Sequence, residues 1–346
     1  MLKLNELNKH AKDMLVNNYK IKSDNKILII YDENTKISPI LKNSFEHASK
    51  DLKNDVETLK YYEYEPENIM SKIEENYNKD DIIVLAQSTS FRASKFRWRN
   101  ILCSMGLKVV EFGHLGKVLE EEYDNFIDSL TYDMPHYKKV IAKVEPLLEK
   151  SKSIKVVCVD GSEINYDGLM DKIIKNDGDF EGHTNYGSRF PIGEIISEGL
   201  ELSSLSGKVQ VYAYPNTSQE TKFVEPFNCV IEKGFLISHD GPEEFNEIVE
   251  LIKTEHPEGK VYVREFGLGL NRNIKRFGKI SEPIAYERQE GLHFSLGMKH
   301  GIYDKKLKPV YGKKFYQRYH IDIYINVAKI YIESELIYTY EDGLIV

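Results

Sequence analysis

The chain has 346 residues, of which 41% are hydrophobic and 29% are charged, a composition that excludes a wholly disordered chain and predicts one large or two smaller globular domains. Its formal net charge of −8 argues against a general nucleic-acid-binding protein, because binding to phosphates needs a basic surface. Three cysteines lie far apart without a CxxC pair, which argues against disulfides and thiolate zinc sites and favours the cytoplasm.

The first predicted element is an amphipathic helix at the N-terminus. Its apolar residues fall on one helical face: Leu2, Leu4, Leu7, Ala11, Met14 and Leu15. Asn, Glu, Lys and Asp interrupt this segment, so we expect neither a signal peptide nor a membrane span there, and no membrane partner.

The first half of the chain alternates strand and helix signals. Short apolar and β-branched runs predict strands at 26–31, 58–62, 81–86, 108–112 and 155–159. Helical patterns lie between them at 66–77, 90–105 and 136–150. Alternation of this kind is typical of a parallel sheet with crossover helices, so we expect a doubly wound α/β domain over residues 1–180.

The second half has a different pattern. Residues 176–190 are rich in Gly, Asp and Asn and predict a linker. Strand signals then dominate, at 208–214, 228–231, 235–238, 260–264, 293–296, 320–325, 329–333 and 337–340. One convincing helix, 243–254, has Pro242 at its first turn. We expect an α+β domain over residues 181–346, with a mostly antiparallel sheet or barrel.

The clearest pair of candidate metal ligands is His320 and Asp322, in a predicted strand. Residues two apart in a strand face the same side, so the imidazole and the carboxylate point into one cavity while Ile321 points away. The alternative is a solvent-facing polar strand, which is common in antiparallel sheets.

Three other segments carry one candidate ligand each. His293 lies in an apolar strand (EGLHFSLG), Glu265 precedes a glycine-rich turn (REFGLGLN), and Glu194 follows the linker (PIGEII). Taken singly, they could be a core histidine, a strand exit and a salt-bridged glutamate. Together with His320 and Asp322 they supply three carboxylates and two imidazoles, a set that suits Zn²⁺, Mn²⁺, Co²⁺ or Fe²⁺.

In this order, the four segments resemble the thermophilic-type aminopeptidases, the metallopeptidase family of aminopeptidases T and S. They also resemble a non-haem iron dioxygenase of the same fold that opens dihydroxypyridine rings. The resemblance covers about residues 185–330 and is weaker in the first half, where residues 88–92 (STSFR) fall at a Ser/Thr-rich turn of the family. It implies a homodimer that acts on a peptide or another small molecule.

The resemblance also implies roles for individual residues. Two divalent ions, Zn, Co or Mn, would be bound by Glu265, His293, His320 and Asp322. Glu194 matches the first glutamate of the family's ligand set or lies one place from it, and it would act as general base. A metal-activated water would then remove the N-terminal residue of a peptide. The family has a tyrosine seven residues beyond the first histidine, where this chain has His300, a candidate ligand or proton donor.

Two alternatives remain open at this point. His293, His320 and Asp322 could form the facial triad of an Fe(II) dioxygenase, although the extra carboxylates Glu194 and Glu265 favour two ions. A non-catalytic relative could instead use the cleft only for binding.

A basic run with one tryptophan, residues 92–99, is a further candidate in the first domain. One interpretation is a site for nucleic acid or phosphate. We predict instead that the run lies on a helix, as a solvated face near an interface or as a lining for substrate carboxylates.

Overall fold

The computed structural model describes residues 2–93, 96–181, 187–298 and 319–345. The chain forms two compact units, each built from several segments. Unit 1 comprises Met1–Met134, Asn176–Ile192 and Ile280–Ala285, and unit 2 comprises Pro135–Lys175, Gly193–Lys279 and Tyr286–Val346. No helix in the described ranges is both long enough and apolar enough to cross a membrane.

Unit 1 is built on a parallel sheet of five strands. They are β1 (Ile27–Tyr31), β2 (Val56–Lys60), β3 (Ile82–Ala86), β6 (Lys108–Phe112) and β10 (Gly187–Arg189). The spatial order is β10-β6-β3-β1-β2, and every neighbouring pair is parallel. The central strands β3 and β6 are buried along their whole length, as is typical of a sheet covered on both faces. The prediction of a doubly wound α/β fold is confirmed.

Five α-helices belong to unit 1: α1 (Leu4–Asp13), α2 (Ile37–Asp51), α3 (Pro66–Asn76), α4 (Trp98–Ser104) and α5 (Tyr123–Ser129). Helix α3 begins with Pro66, whose fixed φ angle suits the first turn. Apolar residues of α3 and α4 pack with those of β1, β3 and β6 in one buried cluster, in which Trp98 is fully enclosed.

The predicted helix over 90–105 is wrong in its first half. Residues Arg92–Ala93 (β4) and Phe96–Arg97 (β5) pair instead as a short antiparallel hairpin, and α4 begins only at Trp98. The Trp98 amide donates a hydrogen bond to the Phe91 carbonyl at 3.2 Å, while the Phe91 ring stacks on Tyr61 at 3.8 Å. Burial of these aromatic rings therefore overrides the local helical pattern.

Unit 2 contains a 13-stranded, mostly antiparallel sheet, which confirms the predicted architecture of the second half. Its strands are β7 (Ser153–Cys158), β8 (Glu163–Asp167), β9 (Ile174–Asn176), β11 (Glu194–Ser197), β12 (Leu205–Pro215), β13 (Thr221–Glu232), β14 (Phe235–His239), β15 (Val263–Gly269), β16 (Gly291–Gly297), β17 (His320–Ile325), β18 (Val327–Ile332), β19 (Glu335–Thr339) and β20 (Gly343–Leu344). The longer helices of this unit are α6 (Met134–Lys150) and α7 (Glu243–Lys253). The short helix α8 (Pro283–Tyr286) has three residues in unit 1 and its last residue in unit 2.

Strand β7 corrects one sequence-based assignment. The run at 155–159 was expected to continue the parallel sheet, but β7 pairs antiparallel with both β8 and β18. Its burial alternates along the strand, with one face buried and one partly exposed. This is typical of antiparallel sheets, whereas strands inside a parallel sheet are buried on both faces.

Candidate metal centre

Four neighbouring strands carry the five candidate ligands. Strand β11 pairs with β15, β15 with β16, and β16 with β17. They present Glu194 from β11, Glu265 from β15, His293 from β16, and both His320 and Asp322 from β17. All five lie in unit 2, and four of the side chains are buried, His320 being the partly exposed one.

His320 and Asp322 alternate with apolar residues along β17, as the sequence predicts. Ile321 and Ile323 are 5% and 0% exposed, and they lie on the strand face opposite to His320 and Asp322. His320 Nδ1 lies 3.1 Å from the Met298 carbonyl, to which it can donate a hydrogen bond. That bond leaves Nε2 as the atom for a metal, and Nε2 is 3.2 Å from Asp322 Oδ1 and 3.5 Å from Glu265 Oε2.

The expected glycine-rich turn after Glu265 is wrong. Gly267 and Gly269 lie inside β15, and Gly267 pairs directly with His293 on β16. A Cβ atom on Gly267 would lie 2.0 Å from His293 Nε2, closer than any two such atoms can approach. The glycine therefore leaves the space that the imidazole ring occupies.

The candidate ligands form two groups that share one glutamate. Glu194, Glu265 and His293 form the first group, and Glu265, His320 and Asp322 form the second, each with its ligand atoms within 4.8 Å of one another. In the first, His293 Nε2 lies 3.4 Å from Glu194 Oε1 and 3.6 Å from Glu265 Oε1. Each group offers three protein ligands to one ion.

Two further charged residues in this centre were missed by the sequence reasoning. Arg288 is only 7% exposed and pairs with Glu194 Oε2, and its Nη1 also lies 2.8 Å from Glu287 Oε1. The Glu287 carboxyl donates a hydrogen bond to Asp322. Both residues come directly after the short helix α8, and their spacing in the sequence is not one that metal ligands show. The sequence signal that could have found them is their position just before β16, the strand that carries His293.

Burial and crowding of like charges displace the pKa values in the centre. Burial raises the pKa of Glu194 against the opposing effect of Arg288, and burial also holds the pKa of Glu287 well above its usual range. Burial opposes protonation of His320, yet Asp322 raises the pKa of His320 to about 10. All three upward displacements follow from an excess of carboxylates in a buried space, which favours the protonated form of each group.

The unsatisfied atoms of the centre fit a divalent cation. Glu265 Oε2, His293 Nε2 and Asp322 Oδ1 are buried, and none has a hydrogen-bond partner within the described part of the chain. Buried polar atoms without partners are rare in proteins and commonly mark an ion or another bound group. The mixture of carboxylate oxygen and imidazole nitrogen suits Zn²⁺, Mn²⁺, Co²⁺ or Fe²⁺.

His300 lies outside the described residues, and its role as a ligand or proton donor stays a prediction.

No protein-family model matches the chain, and no curated protein matches it in sequence. Two solved structures have a similar fold. One is 2,5-dihydroxypyridine dioxygenase from Pseudomonas putida KT2440, with a TM-score of 0.65 and 14% identity over 100% of this chain and 99% of the other. The second is AmpT from Thermus thermophilus, an aminopeptidase T, with a TM-score of 0.58 and 11% identity over 98% and 96% of the two chains. The chain thus shares the fold of both enzymes at low sequence identity.

Proposed function

We propose that the protein is a hydrolase with two divalent metal ions that removes N-terminal residues from peptides. The observation that carries this proposal is the sharing of Glu265 between two three-ligand groups. A carboxylate between two such groups is suited to a pair of ions about 4 Å apart, as in two-metal aminopeptidases. The fold likeness to AmpT supports the same conclusion.

In this proposal Glu265 would contribute to holding both ions, together with His293 in one group and with His320 and Asp322 in the other, while Glu194, the third member of the first group, is assigned to proton transfer. Ions bound there would lower the pKa of a bound water and polarise the scissile carbonyl. The free α-amino group of a peptide would bind one of the ions or a nearby carboxylate, which would make the enzyme an exopeptidase.

We assign the general base to Glu194. One of its oxygens faces Arg288 and the other lies 3.4 Å from His293 Nε2, so the guanidinium holds the carboxylate in one orientation. A buried carboxylate with a raised pKa is a suitable acceptor for the proton of an attacking water. The same residue would then pass that proton to the leaving amine.

The proposal is tested by metal analysis and peptidase assays on protein purified without chelator. We expect about two equivalents of Zn²⁺, Mn²⁺ or Co²⁺ per chain near pH 8, with protons released from the imidazole ligands as the ions bind. Aminoacyl p-nitroanilides should be cleaved and their N-acetylated forms should not. Equal cleavage of acetylated substrates would contradict an exopeptidase, and no bound ion at micromolar concentration would leave only a non-catalytic role.

Glu194→Gln separates a base from a ligand. If Glu194 is the base, this variant keeps its metal and loses turnover, whereas loss of metal would make Glu194 a ligand. Homodimer formation is part of the proposal and is tested by light scattering of the same preparation at micromolar concentration.

A mononuclear Fe(II) ring-cleaving dioxygenase is the second candidate, favoured by the fold likeness to the dihydroxypyridine dioxygenase. Its ligands would be His293, His320 and Asp322. Among the described residues, however, the two histidines fall in separate ligand groups with Glu265 common to both. One Fe²⁺ per chain and oxygen uptake with 2,5-dihydroxypyridine would favour this candidate over the hydrolase.

A further inference from the structure

A second concentration of like charge lies in unit 1, at the carboxyl end of the parallel sheet. It consists of Arg92, Arg97, Arg99 and Arg189, which we call the basic cluster. Arg189 ends β10, Arg99 lies in the first turn of α4, and the other two belong to the β4–β5 hairpin. In doubly wound folds the carboxyl ends of the strands are where ligands bind.

The hairpin brings two arginines face to face. Arg92 and Arg97 occupy directly opposite positions in the β4–β5 pair. Like charges at such positions destabilise a sheet unless something lies between them to neutralise the charge. Burial lowers the pKa of Arg97, and the charges of Arg92 and Arg99 lower it further. The hairpin therefore holds positive charge in a partly desolvated place.

One buried carboxylate, Glu111, faces this cluster. Glu111 is 1% exposed, and its Oε2 lies 2.8 Å from Arg99 Nε and 3.2 Å from Arg189 Nε. Its other oxygen accepts a hydrogen bond from Gln87 Nε2 at 3.3 Å. One negative charge thus serves at least two guanidinium groups, those of Arg99 and Arg189.

Three polar atoms lie close to Gly113, on the side where any other residue would carry its Cβ atom. A Cβ at Gly113 would lie 3.6 Å from Arg189 Nε, 3.7 Å from Ser90 Oγ and 3.8 Å from Glu111 Oε1. Arg189 Nη2 is buried and has no hydrogen-bond partner among the described residues. An unpaired guanidinium nitrogen costs free energy in a buried place, and an oxyanion would satisfy it.

His114 is a further polar residue beside Gly113 and Ser90. Its Nε2 lies 3.4 Å from Ser90 Oγ. Burial lowers the pKa of His114 to about 4, and the charges of Arg97, Arg92 and Lys117 contribute to this shift. At neutral pH the ring is therefore uncharged and, with the serine hydroxyl, can bond to a ligand oxygen.

We propose that the basic cluster binds a small oxyanion, a phosphate or carboxylate group, beside Gly113 and Arg189. Guanidinium groups pair with both kinds of oxyanion in the same forked geometry, so the structure specifies the chemistry of the group and not its source. The site lies entirely in unit 1 and does not depend on the metal centre.

The chain contains one tryptophan, Trp98, between Arg97 and Arg99, and its fluorescence can report binding. The full-length protein is titrated with inorganic phosphate and, separately, with succinate, at ionic strength held constant with sodium chloride. We expect a saturable change in fluorescence with a Kd below about 10 mM for at least one of them. Tighter phosphate binding identifies a phosphoryl ligand, and tighter succinate binding identifies a carboxylate ligand.

Single substitutions in the basic cluster test whether the anion binds there. Arg97→Gln should weaken binding about tenfold, because it removes a positive charge that acts on His114 and Glu111 beside the site. Glu111→Gln should strengthen binding, because it removes the competing internal carboxylate. The matched control is Lys9→Gln on α1, which makes the same charge change as Arg97→Gln outside the cluster and should bind as wild type does. Circular dichroism verifies folding, and Arg92→Gln, on an exposed position, replaces Arg97→Gln if that variant unfolds.

The proposal is overturned if neither anion saturates the signal by about 10 mM. It is also overturned if chloride alone produces the same change, or if the folded arginine variant binds as tightly as wild type. Any of these results would make the cluster a structural ion-pair network around Glu111.

Discussion

The two units bury charge of opposite sign in different ways. The candidate metal centre of unit 2 gathers carboxylates around Arg288, and the basic cluster of unit 1 gathers arginines around Glu111. Carboxylates and imidazoles of the metal centre project from four adjacent strands of one sheet, whereas the arginines come from a hairpin, a helix and a strand end. Short side chains on paired strands are held closely enough for metal coordination, while long arginines adapt to a larger anion.

The buried counter-charge has the same physical role in both places. A cluster of like charges without a ligand is costly to bury, and one opposite charge reduces that cost. The counter-charge then competes with the ligand for the same partners. Removing it should therefore destabilise the ligand-free protein and increase the response to the ligand, and this expectation can be tested in each unit.

The largest effect is expected from Glu265→Gln, which removes the carboxylate shared by both ligand groups. Metal content should fall from about two equivalents to less than one, and peptidase activity should fall more than about 100-fold, because loss of an outer-shell partner alone costs 10- to 100-fold. Elemental analysis and initial rates measure both. Glu290→Gln is the matched control, since it makes the same change at a half-buried glutamate of unit 2 outside both ligand groups. A Glu265→Gln variant with one full equivalent would show that the glutamate serves a single ion.

The second largest loss of metal binding is expected from Gly267→Ala. The new Cβ collides with the His293 ring, so the imidazole must move away from its group. We expect a loss of metal affinity of about 10- to 100-fold with the sheet intact, measured by competition with a chromophoric chelator. In a His293→Ala background the same glycine change should add little, because the ring is already absent. An equal loss in both backgrounds would mean that Gly267 acts through the backbone.

Arg288→Gln tests the counter-charge of the metal centre directly. Without metal, the variant should lose about 3 kcal/mol in free energy of unfolding, because buried Glu194 and Glu287 lose their cation. With metal the gain in stability should exceed that of wild type, since one positive charge no longer opposes the ion. Denaturant unfolding with and without Zn²⁺ gives both numbers. A smaller metal response than wild type would make Arg288 a support for the ligands and not a competitor.

The smallest effect is expected on the pH dependence of stability, from Glu290 in unit 2, which lies outside both the candidate metal centre and the basic cluster. Burial raises its pKa to about 7, and His136 Nε2 lies 3.1 Å from its Oε1. The unfolded chain releases this proton near pH 4.5 and the folded protein near 7, so the free energy of unfolding should fall by about 2 kcal/mol as pH rises between these values. Glu290→Gln should flatten this part of the curve. An unchanged slope in the variant would assign the pH dependence to other groups.

Much of the fold could be predicted because its signals are local. The predicted strand at 320–325 coincides with β17, and the predicted strand at 108–112 coincides with β6. The predictions failed where distant residues decide the outcome. Stacking of Phe91 on Tyr61 forms a hairpin in place of the first turns of a predicted helix. The ring of His293 occupies the space beside Gly267, inside β15, where a turn was expected.

The kinds of candidate ligand, and the shared side of His320 and Asp322, follow from the amino-acid sequence, because the two-residue period of a strand is a local property. The pairing of β11, β15, β16 and β17, and the position of Glu265 between two histidines, emerge from the folded chain. Folding also brought Arg288 to Glu194, and Arg99 and Arg189 to Glu111. Pairing of strands and burial of charge depend on contacts between residues far apart in the chain, and a local pattern does not encode them.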